Sequence, residues 1–174
     1  MSQPTVLLSA DAINQRVIEI AHQINQDYAD KQDIVLVGTL KGSFIFIADL
    51  CRHLNFAHEI DFLSVSSYGD KSQGGDVRIL KDITCGVRNK HVIIIEDIID
   101  TGSTLIYVKE LFLMRHVASL KLCSLLSKPS RRKVKIEADY TGFEIDDHFV
   151  VGYGLDYAQQ YRYLPYVGIV EPTV

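Results

Sequence analysis

Glu96 and Asp97 stand side by side directly after Val92-Ile93-Ile94-Ile95. Two aliphatics later comes Asp100-Thr101-Gly102-Ser103-Thr104, and a helical pattern runs from Leu105 to His116. Four β-branched apolar residues in a row leave no wet face, so they read as a strand buried on both sides and ending at the carboxylates. A strand, a tight glycine-containing turn and a helix start together form an anion site, because free backbone N–H groups and the positive end of the helix dipole point at the turn. Carboxylates beside such a cradle repel a phosphate unless they serve something else, such as hydroxyls or a Mg²⁺ ion. A ribose 5-phosphate, with a phosphate at one end and a diol nearby, answers both demands. Acidic residues also close buried strands simply where the chain returns to water, and Asp or Thr commonly caps a helix. Taken alone, Glu96-Asp97 fits either account.

A second stretch has the same layout. Ile34-Val35-Leu36-Val37 reads as a buried strand, Gly38-Thr39-Leu40-Lys41-Gly42-Ser43 as a polar loop, and Phe44, Ile47, Ala48, Cys51 and Leu54 as the apolar face of a helix. This loop offers a second anion site with Lys41 as a point charge; a merely solvated lysine is the plain alternative. From Ser66 to Asp76 the composition turns to Ser, Gly, Asp, Lys and Gln, from which no core is built. That segment is long enough for a lid and equally suits a solvated hairpin.

The elements that must position these residues follow from periodicity. Ser9 or Asp11 can cap a first helix carrying Ile13, Val17, Ile20, Ala21 and Ile24 at three- and four-residue spacing. Glu59 to Val65 partly alternates through Ile60, Phe62 and Val65, and Val77-Arg78-Ile79 is its returning partner. Leu120 to Leu126 reads as another buried strand and Tyr166 to Val170 as a last short one. The basic run Lys128-Pro129-Ser130-Arg131-Arg132-Lys133-Val134-Lys135 is expected to be mostly wet. Strands alternating with helices, without a linker or repeat, predict an α/β fold: a mostly parallel twisted sheet flanked by helices, with a small C-terminal cap, as a single domain over 1–174. Ligands of such sheets sit at the carboxyl ends of the strands, where both candidate loops lie.

Composition narrows the function classes. With 174 residues, 47% hydrophobic and 23% charged, the chain is ordinary globular material with room for one well-buried domain. A net charge of −4 argues against nucleic acid as a partner. No apolar run approaches a membrane span, and the start lacks the layout of a signal peptide. Cys51, Cys85 and Cys123 are odd in number and far apart, as expected of reduced thiols in the cytoplasm. The six histidines form no zinc-ligand pair.

The thirteen residues Val92 to Thr104 resemble the phosphoribosyl-pyrophosphate signature of the type I phosphoribosyltransferases. Leu40-Lys41-Gly42-Ser43, Ser67-Tyr68-Gly69, Lys128-Pro129 and Phe149-Val150-Val151-Gly152-Tyr153-Gly154-Leu155-Asp156-Tyr157 occur around it in the order seen in hypoxanthine(-guanine) phosphoribosyltransferases. The match runs from about Val35 to Arg162. It implies purine salvage: transfer of ribose 5-phosphate from phosphoribosyl pyrophosphate to a 6-oxopurine, releasing pyrophosphate with the help of Mg²⁺.

The resemblance also assigns roles. The turn Asp100, Thr101, Gly102, Ser103 and Thr104 cradles the 5′-phosphate, and Asp100 faces purine N7 to move its proton. Glu96 and Asp97 hold the ribose hydroxyls and a metal ion, and Asp156 helps place a second Mg²⁺ beside the purine pocket. Lys41, in a loop that carries a non-proline cis peptide in the family, meets pyrophosphate with Gly42 and Arg162. Lys128 reaches the purine 6-oxygen, which disfavours adenine, Phe149 stacks on the ring, and Val150 offers its backbone. Ser67 and Tyr68 belong to a flexible lid. Ser103 departs from relatives with a basic or apolar residue there, of little consequence for a turn that works through its backbone. Hypoxanthine and guanine both fit, and a dimer or tetramer is expected. A regulatory RNA-binding protein on the same fold shares the central signature, but the purine pocket and the lack of an extended basic face favour transfer.

Overall fold

A computed structural model of the chain describes residues 3–68 and 76–171. Its main sheet has six strands: β2 (Ile34–Leu40), β3 (His58–Tyr68), β4 (Asp76–Lys81), β5 (His91–Ile99), β6 (Ser119–Ser127) and β7 (Tyr140–Glu144). They lie in the order β4-β3-β2-β5-β6-β7, and only the β3–β4 pair is antiparallel. Three helices, α1 (Ala10–Asp27), α2 (Phe44–Cys51) and α3 (Ser103–Met114), cover its faces. A three-stranded sheet of order β1-β9-β8 joins β1 (Thr5–Leu8), β8 (Val150–Val151) and β9 (Val167–Ile169) into a hood. The cap is therefore not purely C-terminal, since the first strand of the chain supplies one edge.

The apolar run of β5 is buried on both sides. Ile93 and Ile95 pack with Leu36, Cys123 and Leu125 beneath α1 and α2, whereas Val92 and Ile94 pack with Val35, Val37 and Leu122 beneath α3. Each such side chain is worth about 1.5–3 kcal/mol relative to exposure, which makes the centre of the sheet a rigid base for the loops above it. Ser9 caps α1 by accepting from Ala12 N at 3.2 Å. Ile13, Val17, Ile20, Ala21 and Ile24 all face the core.

Several sequence expectations shift. The central strand does not stop at Glu96 but continues through Ile98 and Ile99, still paired with β6. The next helix begins at Ser103, not Leu105. In α2 the buried residues are Phe46, Ile47 and Leu50, while Phe44 and Ala48 are exposed. All but Asp49 of its eight residues are apolar, so periodicity had no contrast with which to choose a face. In β3, Ile60 faces solvent and Asp61 and Leu63 turn inward. Asp61 is a buried staple: Oδ2 accepts from Thr84 N at 2.5 Å and Cys85 N at 3.0 Å, and Oδ1 from Phe62 N at 2.7 Å. Of the span 66–76 expected to be a loop, 66–68 belong to β3 and Asp76 to β4. The remainder, 69–75, lies outside the described residues.

Candidate active site

The connections of the sheet determine where a cleft opens. The chain leaves β2 through α2 to β3 on one side and leaves β5 through α3 to β6 on the other. Neighbouring strands whose crossovers diverge leave a crevice at their carboxyl ends. β2 and β5 pair only as far as Gly38 opposite Ile95; beyond that point Thr39 and Leu40 pair with β3 alone. One lip of the crevice carries Lys41 and Gly42, and the other carries Glu96 and Asp97.

Gly42 closes the base of this crevice. A Cβ at this buried position would overlap Asp97 Oδ2, and a Cβ at Gly154 would overlap the Gly42 carbonyl oxygen. The Gly42 backbone is thus packed between the acidic pair and the segment that follows β8, so three distant stretches meet there. Gly154 has φ +101°, a region that suits a residue without Cβ. The Leu40–Lys41 peptide bond is cis, as the resemblance implied.

Electrostatics mark the acidic pair. Glu96 Oε2 is sealed from solvent without a hydrogen-bond partner, although the residue as a whole keeps partial exposure. Burial, and then the neighbouring Asp97 charge, pushes its carboxyl well above the usual carboxylate range. Burial likewise pushes Asp97 up to about 6, against the N–H of Ile98, which donates to Oδ1 at 2.9 Å. Two carboxyl groups held in this way favour a cation or a hydroxyl donor as partner.

Above the pair, Asp156 Oδ1 lies 2.7 Å from Arg162 Nη2, and Arg162 Nη1 donates to the Gly154 carbonyl at 2.7 Å. The Lys41 ammonium donates to Gln159 Oε1 at 3.1 Å. Asp156 Oδ2 accepts from Gln159 N at 2.8 Å. Tyr153 ties this segment to α2 by donating to Asp49 Oδ2 at 2.6 Å.

On the other side of the pair, Gly102 sits at φ +81° as the residue before α3, where a Cβ would overlap the Ile136 side chain. A cleft of about 140 Å³ lies here, lined by Glu96, Ile98, Ile99, Asp100, Thr101, Gly102, Thr104 and Leu105. Its two ends are a buried carboxyl and a helix N-terminus. Arg132 braces the turn from behind, donating through Nη1 to the carbonyls of Ile99 and Asp100 and through Nη2 to Ser127 Oγ at 2.8 Å.

The basic run is mostly wet, as expected, but two of its five cations are drawn inward. Lys128 is only 8% exposed, and its ammonium donates to the His148 carbonyl at 2.5 Å with Asp147 Oδ1 3.7 Å away. Arg132 is half-buried, whereas Arg131, Lys133 and Lys135 are exposed. Tertiary carbonyls, which no local pattern announces, draw two of the cations inward. Arg131 Nε donates to Asp100 Oδ1 at 3.0 Å. Phe149 is 43% exposed, its ring edge-on to Tyr157 with centroids 5.4 Å apart. Val150 lies buried in β8. Ser67 and Tyr68 end β3, with backbones paired to Val77 and Asp76.

The structure thus gathers Lys41, Gly42, Glu96, Asp97, Asp156 and Arg162 around one crevice, with Asp100 to Thr104 at its edge. Gln159 went unnoticed in the sequence, and Arg131 and Arg132 were read there only as members of a mostly wet run. Nothing in their local context distinguishes them from solvated polar residues.

Comparison with known proteins places this fold in a family. Residues 5–158 match the phosphoribosyl transferase domain family. A protein of Escherichia coli, hypoxanthine phosphoribosyltransferase, is 51% identical over 167 residues, covering 95% of this chain and 94% of its own. The hypoxanthine-guanine phosphoribosyltransferase of Bacillus subtilis is 47% identical over 170 residues, with 97% and 94% covered. A crystal structure of a Bacillus anthracis hypoxanthine-guanine phosphoribosyltransferase superimposes with a TM-score of 0.93 at 45% identity, covering 98% of this chain and 100% of that one.

Proposed function

The chain belongs to the phosphoribosyltransferase family, among its hypoxanthine and hypoxanthine-guanine enzymes, and we propose that the crevice between β2 and β5 is where it works. The reaction is purine salvage, the transfer of ribose 5-phosphate from phosphoribosyl pyrophosphate to a 6-oxopurine. The observation that carries the location is the packing of Gly42 between Asp97 and Gly154, which brings the pyrophosphate, ribose and base segments of the resemblance to one place.

The α3 N-terminus and the turn before it receive the 5′-phosphate through backbone N–H groups. Glu96 and Asp97 take the ribose hydroxyls. Lys41 and Arg162 offset the charge on the departing pyrophosphate, which matters most where water is excluded. As N9 of the base bonds to C1′ and the C1′–pyrophosphate bond breaks, the N7 proton passes to Asp100. Lys128 donates to the 6-oxygen, the open ring of Phe149 stacks on the base, and the Val150 backbone completes the pocket. Ser67 and Tyr68 lead into segment 69–75, whose polar, glycine-rich sequence supports its reading as the lid.

Magnesium suits the acidic pair. Among the described residues no three metal-ligating side chains cluster, but Mg²⁺ is commonly held by one or two carboxylates together with waters and substrate oxygens. The unpartnered Glu96 Oε2 supports that use. Bound there, Mg²⁺ supplies charge stabilisation for the anionic substrate. Asp156 commits both oxygens to Arg162 and Gln159, an arrangement that supports its orienting Arg162 alongside any second ion. Among the described residues, no helix is long and apolar enough to cross a membrane. Cys51, Cys85 and Cys123 are free thiols, which supports a cytoplasmic setting; a homo-oligomer, dimer or tetramer, is open to test by light scattering.

The deciding experiment supplies phosphoribosyl pyrophosphate, Mg²⁺ and, in parallel, adenine, hypoxanthine, guanine and xanthine. A nucleotide and pyrophosphate are expected from hypoxanthine, guanine or both, with adenine left unused. Absence of product from both hypoxanthine and guanine overturns the reading.

A further inference from the structure

We propose that Gln159 is a positioning residue of the pyrophosphate subsite, its side-chain oxygen holding the Lys41 ammonium beside the Arg162 guanidinium while their remaining N–H groups stay free for substrate oxygens. The inference rests on the reading of Lys41 and Arg162 as pyrophosphate ligands and goes beyond it, since nothing in the sequence or its relatives' names points to Gln159.

Gln159 Oε1 accepts from Lys41 Nζ at 3.1 Å and from Arg162 Nη2 at 3.4 Å. Lysine and arginine are donors only, so the amide must present its oxygen to them, whichever way its two ends are assigned. The contact to Lys41 spans 118 residues of sequence. Arg162 has further acceptors in Asp156 and the Gly154 carbonyl, and no salt bridge to Lys41 is present among the described residues. Gln159 is thus what turns the Lys41 ammonium toward Arg162.

The backbone is shaped for this purpose. Ala158, Gln159 and Tyr161 have φ of +50°, +65° and +72°, a region unfavourable to residues with a Cβ. Asp156 Oδ2 holds the loop there through Gln159 N at 2.8 Å, and Gln160 N donates to the Tyr157 carbonyl at 3.0 Å. Gln159 and Lys41 are both exposed, so these hydrogen bonds, and not burial, set where the amide points. The choice of a neutral amide also has a chemical reason. An amide oxygen aligns two cations without neutralising them, because it offers a dipole where a carboxylate or phosphate offers a full opposite charge. Their charge stays available to the substrate. A carboxylate in its place would compete with pyrophosphate and repel it.

The test compares Gln159→Met, which keeps the length and removes the acceptor, with Gln159→Glu, Lys41→Met and the Lys41→Met/Gln159→Met pair. The readouts are KM for phosphoribosyl pyrophosphate, the inhibition constant of pyrophosphate, KM for hypoxanthine and Tm. Gln159→Met is expected to raise the first two by about tenfold, the size of one lost charge-assisted contact, with the last two unchanged. Gln159→Glu raises them further. In the paired variant the increase is smaller than the product of the single increases, as for residues acting through one another. If Lys41→Met raises both constants while Gln159→Met leaves them alone or lowers kcat only, the inference is overturned. If Lys41→Met itself has no effect, the subsite reading fails first and takes the inference with it.

Discussion

Arg131 Nε lies 3.0 Å from Asp100 Oδ1, and Arg131 Nη1 lies 3.4 Å from Asp147 Oδ2. The carboxylate proposed to move the proton is thereby tethered toward the loop whose next residue, His148, holds Lys128. Proton transfer and base recognition share one short network, and each end can be tested separately.

Asp100→Asn keeps the shape of the side chain and its acceptor oxygen for Arg131 but removes the base. Positioned proton transfer is worth roughly 10²–10⁴-fold. Steady-state kinetics should show kcat lower by that order, with modest changes in KM for both substrates. A variant turning over like the wild type would remove Asp100 from the mechanism.

Lys128→Met tests the reader of the base. The ammonium has donors only, so it suits a 6-oxygen and opposes the amino group of adenine. It is already desolvated, at 8% exposure, and leaving such a group unpaired is costly. The wild type should barely use adenine, and the variant should lose about 10- to 100-fold in kcat/KM for hypoxanthine. Equal hypoxanthine kinetics in the two proteins would assign the specificity elsewhere.

Gly42→Ala places a methyl group on Asp97 Oδ2. Overpacking of this kind costs about 1–3 kcal/mol, and here the displaced atom belongs to the ribose-binding pair. We expect a modest fall in Tm and at least about a tenfold loss in kcat/KM for phosphoribosyl pyrophosphate. Loss of stability with intact substrate kinetics would show that the contact is structural alone.

Asp61 gives the stability of the fold a pH dependence. Burial pushes its carboxyl up, but the N–H groups of Cys85, Phe62 and Thr84 and the Thr84 hydroxyl outweigh burial and hold it well below the usual range. A carboxyl depressed in the folded state contributes stability that is fully present above its unfolded value, about 3.9. That contribution is lost as pH falls below this value toward the folded one. Asp61→Asn sets an amide N–H₂ among donors and should cost about 2–3 kcal/mol at neutral pH. In denaturant titrations the difference from wild type should narrow steadily below about pH 4. A constant difference across that range would mean that the charge of Asp61 is not what matters.

The contiguous part of the site was legible in the sequence, because the whole logic of strand, carboxylate pair, glycine turn and helix start lies within thirteen residues. The stripe of α1 and the double burial of β5 were legible for the same reason: each element writes its own period into the chain. Where contrast was lacking, as in the almost wholly apolar α2, the period could not say which side faces the core. Phase in β3 was hidden because its inward position holds Asp61, a charge made tolerable by its neighbour's N–H together with donors some twenty residues on.

Everything that depends on a distant partner was decided by the tertiary structure. Lys128 and Arg132 resemble their wet neighbours until carbonyls from other segments surround them. β1 became part of the hood because β9 offered it an edge, Thr5 opposite Ile169. Gln159 meets Lys41 only because Gly42 and Gly154 let two backbones touch. A hydrogen bond across more than a hundred residues leaves no periodic trace in a sequence; it exists only where packing has already brought its two ends together.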